Sequence, residues 1–310
     1  MEEKKRSQFD WRSIRRVFLR VVLSILAMLT FLLLFFYVSS LFLTTESVSV
    51  QTDVATPIRI VHLTDLHNAQ FGKHNQKLVE SVISQAPDLI FMSGDMLNSD
   101  DENTDIITSL ISDLVSTAPV YYGYGNSEKT WEWRFGRSLR PILETAGAVV
   151  VDVEYVDLEL HGSSLRIGGY MGYYPVPSMT TASKTQEALE LDFIKDFEDT
   201  DRVKLLINHI PTGWIDWHYA NSHQVDLVFS GHYHGGIIRI PFLNQGLYAP
   251  YVGWFPPFSK GAYAGTHATC VLSAGLGTNP SIPRINNPPE IVVVDLIPPP
   301  SEGLQSKPRD

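Results

Sequence analysis

Apolar residues follow three different patterns along this chain. From Val21 to Thr45 they run without a charged residue across 25 positions, in the stretch VVLSILAMLTFLLLFFYVSSLFL and just beyond. A helix of that length, at about 1.5 Å per residue, exceeds the roughly 30 Å hydrocarbon core of a bilayer, so 21–43 is predicted to be a transmembrane helix. After residue 57 the pattern changes to short apolar runs separated by segments with helical spacing. Ile58–Thr64, Asp88–Ser93 and Ala118–Tyr124 are predicted strands. Between them, Leu78, Val79, Val82 and Ile83 mark a helix over 75–85, and Ile107, Leu110, Ile111 and Leu114 mark another over 105–116. This β-α-β-α-β order implies a parallel sheet covered by helices. Val203–Ile207 and Val225–Phe229 are two further strands. Segments near 148–159, 164–170, 236–240, 268–273 and 291–296 are β-rich without long helices between them, which predicts a second, more antiparallel sheet.

The third pattern is polar. Residues 44–56 read as a stalk, and the Pro-rich tail 298–310 as disordered. The expected organisation is a basic segment at 1–20, a membrane anchor at 21–43, the stalk, one folded domain over 57–297, and the tail.

Charge sharpens this division. The 310 residues carry 24 Lys and Arg against 34 Asp and Glu, a net charge of -10. Residues 1–20 hold seven basic and three acidic groups, a net +4, which leaves -14 for the rest. Lys and Arg before an anchor resist translocation. The N-terminus is therefore expected in the cytoplasm and the domain outside, on a single-pass protein of the cell membrane. The apolar core is longer than the 7–15 residues of a signal peptide and no Ala-x-Ala follows it, so an uncleaved anchor is expected. Arg15 and Arg16 also fit a twin-arginine export signal, although paired arginines are common before anchors and are read first as topological charge. The acidic remainder argues against a nucleic-acid partner. A single cysteine, Cys270, excludes an intramolecular disulfide and a zinc-finger cluster.

Candidate chemistry sits where the strands stop. Asp65 and His67 follow the first, Gly94-Asp95 the second, Gly125-Asn126 the third, Asn208-His209 the fourth, and Gly231-His232-Tyr233-His234 the fifth. The carboxyl ends of strands in an open α/β sheet form one ligand-binding rim. Two Asp, one Asn and four His delivered there match the needs of a two-metal site, in which a short carboxylate bridges and imidazoles complete the shells. Each piece alone is weak: a Gly-Asp after a strand is usually just a turn. The warrant is the agreement of five strand ends. Of the other histidines, His62 is read as packed core, and His218 and His223 as helix surface. Tyr170, Tyr173, Tyr174, Trp254 and Phe255 are read as loop packing or substrate lining.

The motifs DLH (65–67), GD (94–95), GN (125–126), NH (208–209) and GHYHGG (231–236) resemble those of the calcineurin-like metallophosphoesterases, in particular the bacterial membrane-associated branch of YkuE/YaeI-like proteins. The resemblance also covers LYAP (247–250), GWFPPFSKG (253–261) and PPEIVVVDL (288–296). It implies a four-layer α/β/β/α sandwich of two mixed sheets. It implies that Asp65, His67 and His234 hold one divalent cation and Asn126, His209 and His232 a second, with Asp95 bridging. Mn, Fe and Zn all suit such a shell, and a hydroxide acidified by both cations would attack phosphorus. One position departs from the family: Ser127 stands where a histidine usually assists the leaving group. Asn126, Ser127 and Asp95 are thus the candidate catalytic residues, with Glu128 or His74 as a substitute acid. The expected activity is hydrolysis of a phosphate ester, diester or pyrophosphate on a phosphorylated small molecule or envelope lipid. A metal-binding scaffold and a nuclease are the alternatives.

Overall fold

The computed structural model describes residues 11–172, 181–216, 219–249, 252–278 and 282–300. Tyr173, Tyr174, His218, the first ten residues and the tail from 301 lie outside them.

One face-to-face pair of six-stranded sheets forms the centre. The first has the order β1 (Thr44–Gln51), β16 (Glu290–Ile297), β2 (Ile58–Leu63), β3 (Leu89–Ser93), β4 (Val120–Gly123) and β5 (Val149–Val150). The second has β14 (Gly261–Ala264), β15 (Thr269–Leu272), β9 (Leu227–Ser230), β8 (Val203–Asn208), β7 (Ser163–Tyr170) and β6 (Glu154–Leu160). Two short hairpins, β10 (Arg239–Ile240) with β11 (Gln245–Gly246) and β12 (Tyr248–Ala249) with β13 (Gly253–Trp254), lie outside the sheets.

Strand alternation divides the core. In β3, Leu89 and Phe91 point between the sheets, whereas Ile90 and Met92 point at the helices. In β8, Leu205 and Ile207 face the first sheet and Leu206 the opposite side. Both faces are covered, so these strands read as continuous apolar runs rather than alternating ones. Helices α2 (Gln76–Ile83), α3 (Asp105–Leu114), α4 (Asn126–Phe135) and α5 (Arg140–Thr145) cover the first sheet, and α6 (Thr181–Glu198) and α7 (Thr212–Ile215) the second. The layers are α/β/β/α, as the motifs imply.

Two expectations are corrected. The second sheet is not mainly antiparallel: β7, β8, β9 and β15 run parallel, with only its edge strands β6 and β14 reversed. The strands at 203–208 and 227–230 belong to this sheet, and the one at 290–297 belongs to the first. Nor are residues 44–56 a free stalk. Thr44–Gln51 pairs parallel with β16 along its whole length, and Val48 and Val50 pack against the core between the sheets. Overall polarity hides this strand; the Ser-Val-Ser-Val alternation at 47–50 reveals it.

The apolar N-terminal segment is the single helix α1 (Trp11–Ser39), whose most apolar 18-residue stretch has a mean hydropathy of 2.7 and which contains no buried residue. It contains Arg15 and Arg16. Only residues 40–43 separate it from β1.

Candidate metal centre

The five strand ends converge on one place, but from two sheets. β2, β3 and β4 bring Asp65, His67, Asp95 and Asn126 from one side; β8 and β9 bring His209, His232 and His234 from the other. The rim expected on a single sheet is therefore a seam shared by both.

Two groups form there, each with its ligand atoms within 4.8 Å of one another: Asp65, His67 and His234, and Asp95, His209 and His232. His234 Nε2 lies 3.5 Å from Asp65 Oδ1, and His209 Nε2 3.5 Å from Asp95 Oδ2. His67 Nε2 is 4.0 Å from Asp65 Oδ1 and 3.7 Å from Asp95 Oδ2, so it borders both groups. His232 Nδ1 is 3.2 Å from His209 Nε2. Most of these gaps are long for hydrogen bonds. Two ligands of one tetrahedral or octahedral cation, each at about 2.1 Å, stand roughly 3–3.5 Å apart. The buried atoms His67 Nε2, Asn126 Oδ1 and His234 Nδ1 make no hydrogen bond. A buried polar atom left in that state costs free energy that a cation would recover. The donor set fits a pair of divalent ions.

The backbone is shaped around these side chains. Asp65, His67, Asp95, His232 and His234 all have φ between 47° and 69°, a region that non-glycine residues rarely occupy. Such strain persists only where surrounding contacts over-determine it. Here Asp65 N donates to Gly94 O and His67 N to Asp95 O, each at 3.0 Å, and His232 N donates to Asp65 Oδ2 at 3.0 Å. Ser127 N, at the start of α4, donates to Asp95 Oδ1 at 2.7 Å. Gly231 leaves no room for a side chain, since a Cβ there would lie 2.2 Å from Asp65 Oδ2.

The electrostatics are those of packed opposite charges. Burial alone would raise Asp95 and Asp65, but the nearby imidazoles (His209 above all for Asp95, His234 for Asp65) hold both carboxyls below their ordinary values. Burial works against a charge on His209 as well, yet Asp95 raises it to about 9. Burial lowers His232 to about 3 and His234 to about 4. His209 Nδ1 donates to Ser93 O at 2.7 Å, which leaves Nε2 facing Asp95 and able to take a cation.

Other candidates resolve differently. Glu128 is no acid for a leaving group: its fully buried carboxylate accepts N–H groups of Asp95, Met96 and Gly125 and the hydroxyl of Tyr122. Its signal was the spacing from Gly125, three residues ahead of it at the N-cap of α4. His62 is core, with Nε2 2.7 Å from Ser93 Oγ. Tyr170 is buried and accepts from Trp214 Nε1 at 2.7 Å, so it lines no open site. Cys270 is buried, and burial pushes its thiol up to about 12. Sequence reasoning missed Asn287, whose Nδ2 donates to His234 O at 2.7 Å. It belongs to no strand end.

The sequence profile described as calcineurin-like phosphoesterase matches residues 58–236. An uncharacterized metallophosphoesterase of Campylobacter jejuni is 25% identical over 283 residues, covering 87% of this chain and 68% of its own. Phosphodiesterase YaeI of Escherichia coli is 23% identical over 256 residues (79% of this chain and 84% of its own). The uncharacterized metallophosphoesterase YkuE of Bacillus subtilis is 27% identical over 251 residues, with 77% and 78% covered. The profile spans more than half of the chain and includes every one of the five strand-end motifs, so the protein belongs to the calcineurin-like phosphoesterase family of metal-dependent hydrolases.

Proposed function

We propose that this chain is a membrane-anchored phosphoesterase that uses two divalent cations. In this reading Asp65, His67 and His234 hold one, Asn126, His209 and His232 the other, and Asp95 stands between them. Bound there, the cations would supply an acidified water and a Lewis acid for the phosphoryl oxygens. The protein's own part is orientation. Ser93 O sets the His209 tautomer, Ser127 N and Glu128 hold the Asp95 loop, and Gly231 keeps side-chain atoms away from Asp65. The observation that carries the reading is the meeting of two buried three-residue groups, linked by His67, at the ends of strands from both sheets.

Anchoring rests on α1, a long apolar helix with no buried residue, and on the basic residues ahead of position 21. The orientation is single-pass, with the N-terminus cytoplasmic and the hydrolase domain outside. The substrate is a phosphorylated small molecule or an envelope lipid, and not nucleic acid, given the acidic domain.

The experiment uses the full chain in lipid nanodiscs. Metal content is measured by mass spectrometry, and hydrolysis of bis(4-nitrophenyl) phosphate is followed with added Mn, with Asp95→Asn as control. Two metals per chain with turnover lost in Asp95→Asn are expected. Ser127 in place of the family histidine favours one other reading, a scaffold that binds metal without turnover. Stoichiometric metal with no hydrolysis of any activated ester would establish that instead.

A further inference from the structure

Beyond His234 the chain runs straight into the β10–β11 hairpin. Its tip presents Phe242, 100% exposed, and Leu243, 61% exposed. The neighbouring β12–β13 hairpin ends in Trp254 and Phe255, 69% and 58% exposed. The two hairpins touch: Gln245 Nε2 donates to Pro256 O, and Phe255 N to Leu247 O, both at 2.8 Å. Phe242 and Phe255 hold φ of 66° and 54°, a region that bulky residues seldom adopt. Single exposed apolar residues are ordinary, but four on two touching hairpins, two of them in strained backbone, form a patch that calls for a partner.

The patch is continuous with α1. The rings of Phe36 and Phe242 meet edge to face, with centroids 6.4 Å apart. Asn286 N donates to Phe36 O at 3.2 Å, and Asn287 N to Ser40 Oγ at 3.0 Å. Phe36 lies in the last turn of α1, where a spanning helix leaves the hydrocarbon layer. Leu41 and Phe42, exposed in the short connection to β1, extend the same apolar surface.

The same loops carry the metal ligands. Asn287, bonded to Ser40, also holds His234 O, and Arg239 Nη1 donates to Gly235 O at 2.8 Å. A Cβ on Gly236 would lie 2.5 Å from Gly246 Cα, so the hairpin is seated directly on the His234 turn. Between His234 and Phe242 even extended chain reaches no more than about 28 Å.

We propose that the Phe242-Leu243 tip and the Trp254-Phe255 pair at the end of β13 enter the headgroup layer of the bilayer beside α1. This second lipid contact holds the metal centre at a fixed height over the membrane surface. Aromatic side chains suit that layer, where one end of the ring is apolar and the other is wet. The inference rests on the reading of α1 as a membrane span.

The test keeps the full chain in phosphatidylcholine/phosphatidylglycerol nanodiscs. Cys270 is buried, so an introduced cysteine takes a fluorescent label selectively. Labels go at Leu243→Cys and Phe255→Cys on the patch, at Leu32→Cys on α1, and at Ser164→Cys on the exposed start of β7. Lipids brominated near the headgroup should quench the 243 and 255 labels by about twofold or more, as for groups inserted at the interface. Ser164→Cys should be unaffected, and Leu32→Cys should respond to lipids brominated deeper in the chain. Quenching at either loop supports the proposal, since the two sites lie on different hairpins. A response at 32 with none at 243 or 255, or equal quenching at 164, overturns the loop contact and leaves the anchor standing. No response at 32 removes the anchor, and the loop contact with it.

Discussion

The buried carboxylate of Glu128 accepts the backbone N–H of Asp95 at 2.9 Å. Through it, one side chain ties together the loops after β3 and β4, because Gly125 N and Met96 N donate to the same group at 2.8 and 2.9 Å. Burial and the charge of Asp95 raise the Glu128 carboxyl above its ordinary value, while the hydrogen bonds favour its ionised form.

Removing this clamp is expected to be costly. Glu128→Ala strands three buried N–H groups and the Tyr122 hydroxyl, at about 1–3 kcal/mol for each group left unsatisfied. Partial relaxation brings the expected loss to about 3–5 kcal/mol, with a fall in bound metal because Asp95 is released. Chemical denaturation and metal analysis of the same preparation check this. Unchanged stability would mean that the loops hold themselves.

Gly125 is expected to matter for space, not for backbone freedom. Its φ of -103° suits any residue, but a Cβ would sit 2.3 Å from Asp95 Oδ1 and 3.0 Å from His209 Cδ2. Gly125→Ala should lower kcat/KM by about 10²-fold, since displacement of a positioned group by about 1 Å is enough. Gly136→Ala is the contrasting variant: its φ is 64° and nothing lies within 4 Å. It should cost about 1 kcal/mol of stability and leave kcat/KM alone. Equal kinetic effects from both would refute the steric argument.

His62 should contribute to acid lability. Burial lowers it to about 3 from an ordinary 6.5, so the folded chain keeps it neutral where the unfolded chain would protonate it. The unfolded state then binds the extra proton, and stability falls as pH drops from about 6.5 toward 3. His62→Gln keeps a partner for Ser93 and cannot titrate. Its melting temperature should fall less steeply across that window than that of the parent; parallel curves would assign the acid response elsewhere.

With Ser127 in place of the family histidine, hydrolysis is expected to demand a good leaving group. Glu128 is fully engaged as a clamp and does not replace the family histidine next to Asn126. Ser127→His should raise hydrolysis of an alkyl phosphodiester by about 10²-fold and that of a 4-nitrophenyl ester by less than about threefold. Equal rates on the alkyl ester before and after substitution would show that another group already donates the proton.

Much of this was legible in one dimension. Strand runs such as 89–93 are apolar throughout because both faces are covered, and each ends at a polar residue that the sheet edge must expose. Periodicity is local, so it located α2, α3 and the strand ends carrying Asp65, Asp95, Asn126, His209 and His232. In β1 it left only the short valine alternation at 48 and 50 amid Thr, Ser and Glu, too little to name the partner β16, more than 240 residues away.

The sequence by itself determined the apolar N-terminal helix, the alternation of strands and helices, and the identity of the side chains at the strand ends. These follow from spacing and from residue chemistry, which need no partner. Only the tertiary structure decided which sheet each strand joins, that the candidate ligands meet across a seam between two sheets, and that α1 is bonded directly to the loop holding His234. Those are relations between segments remote in the chain, fixed by the hydrogen bonds and packing of the whole fold.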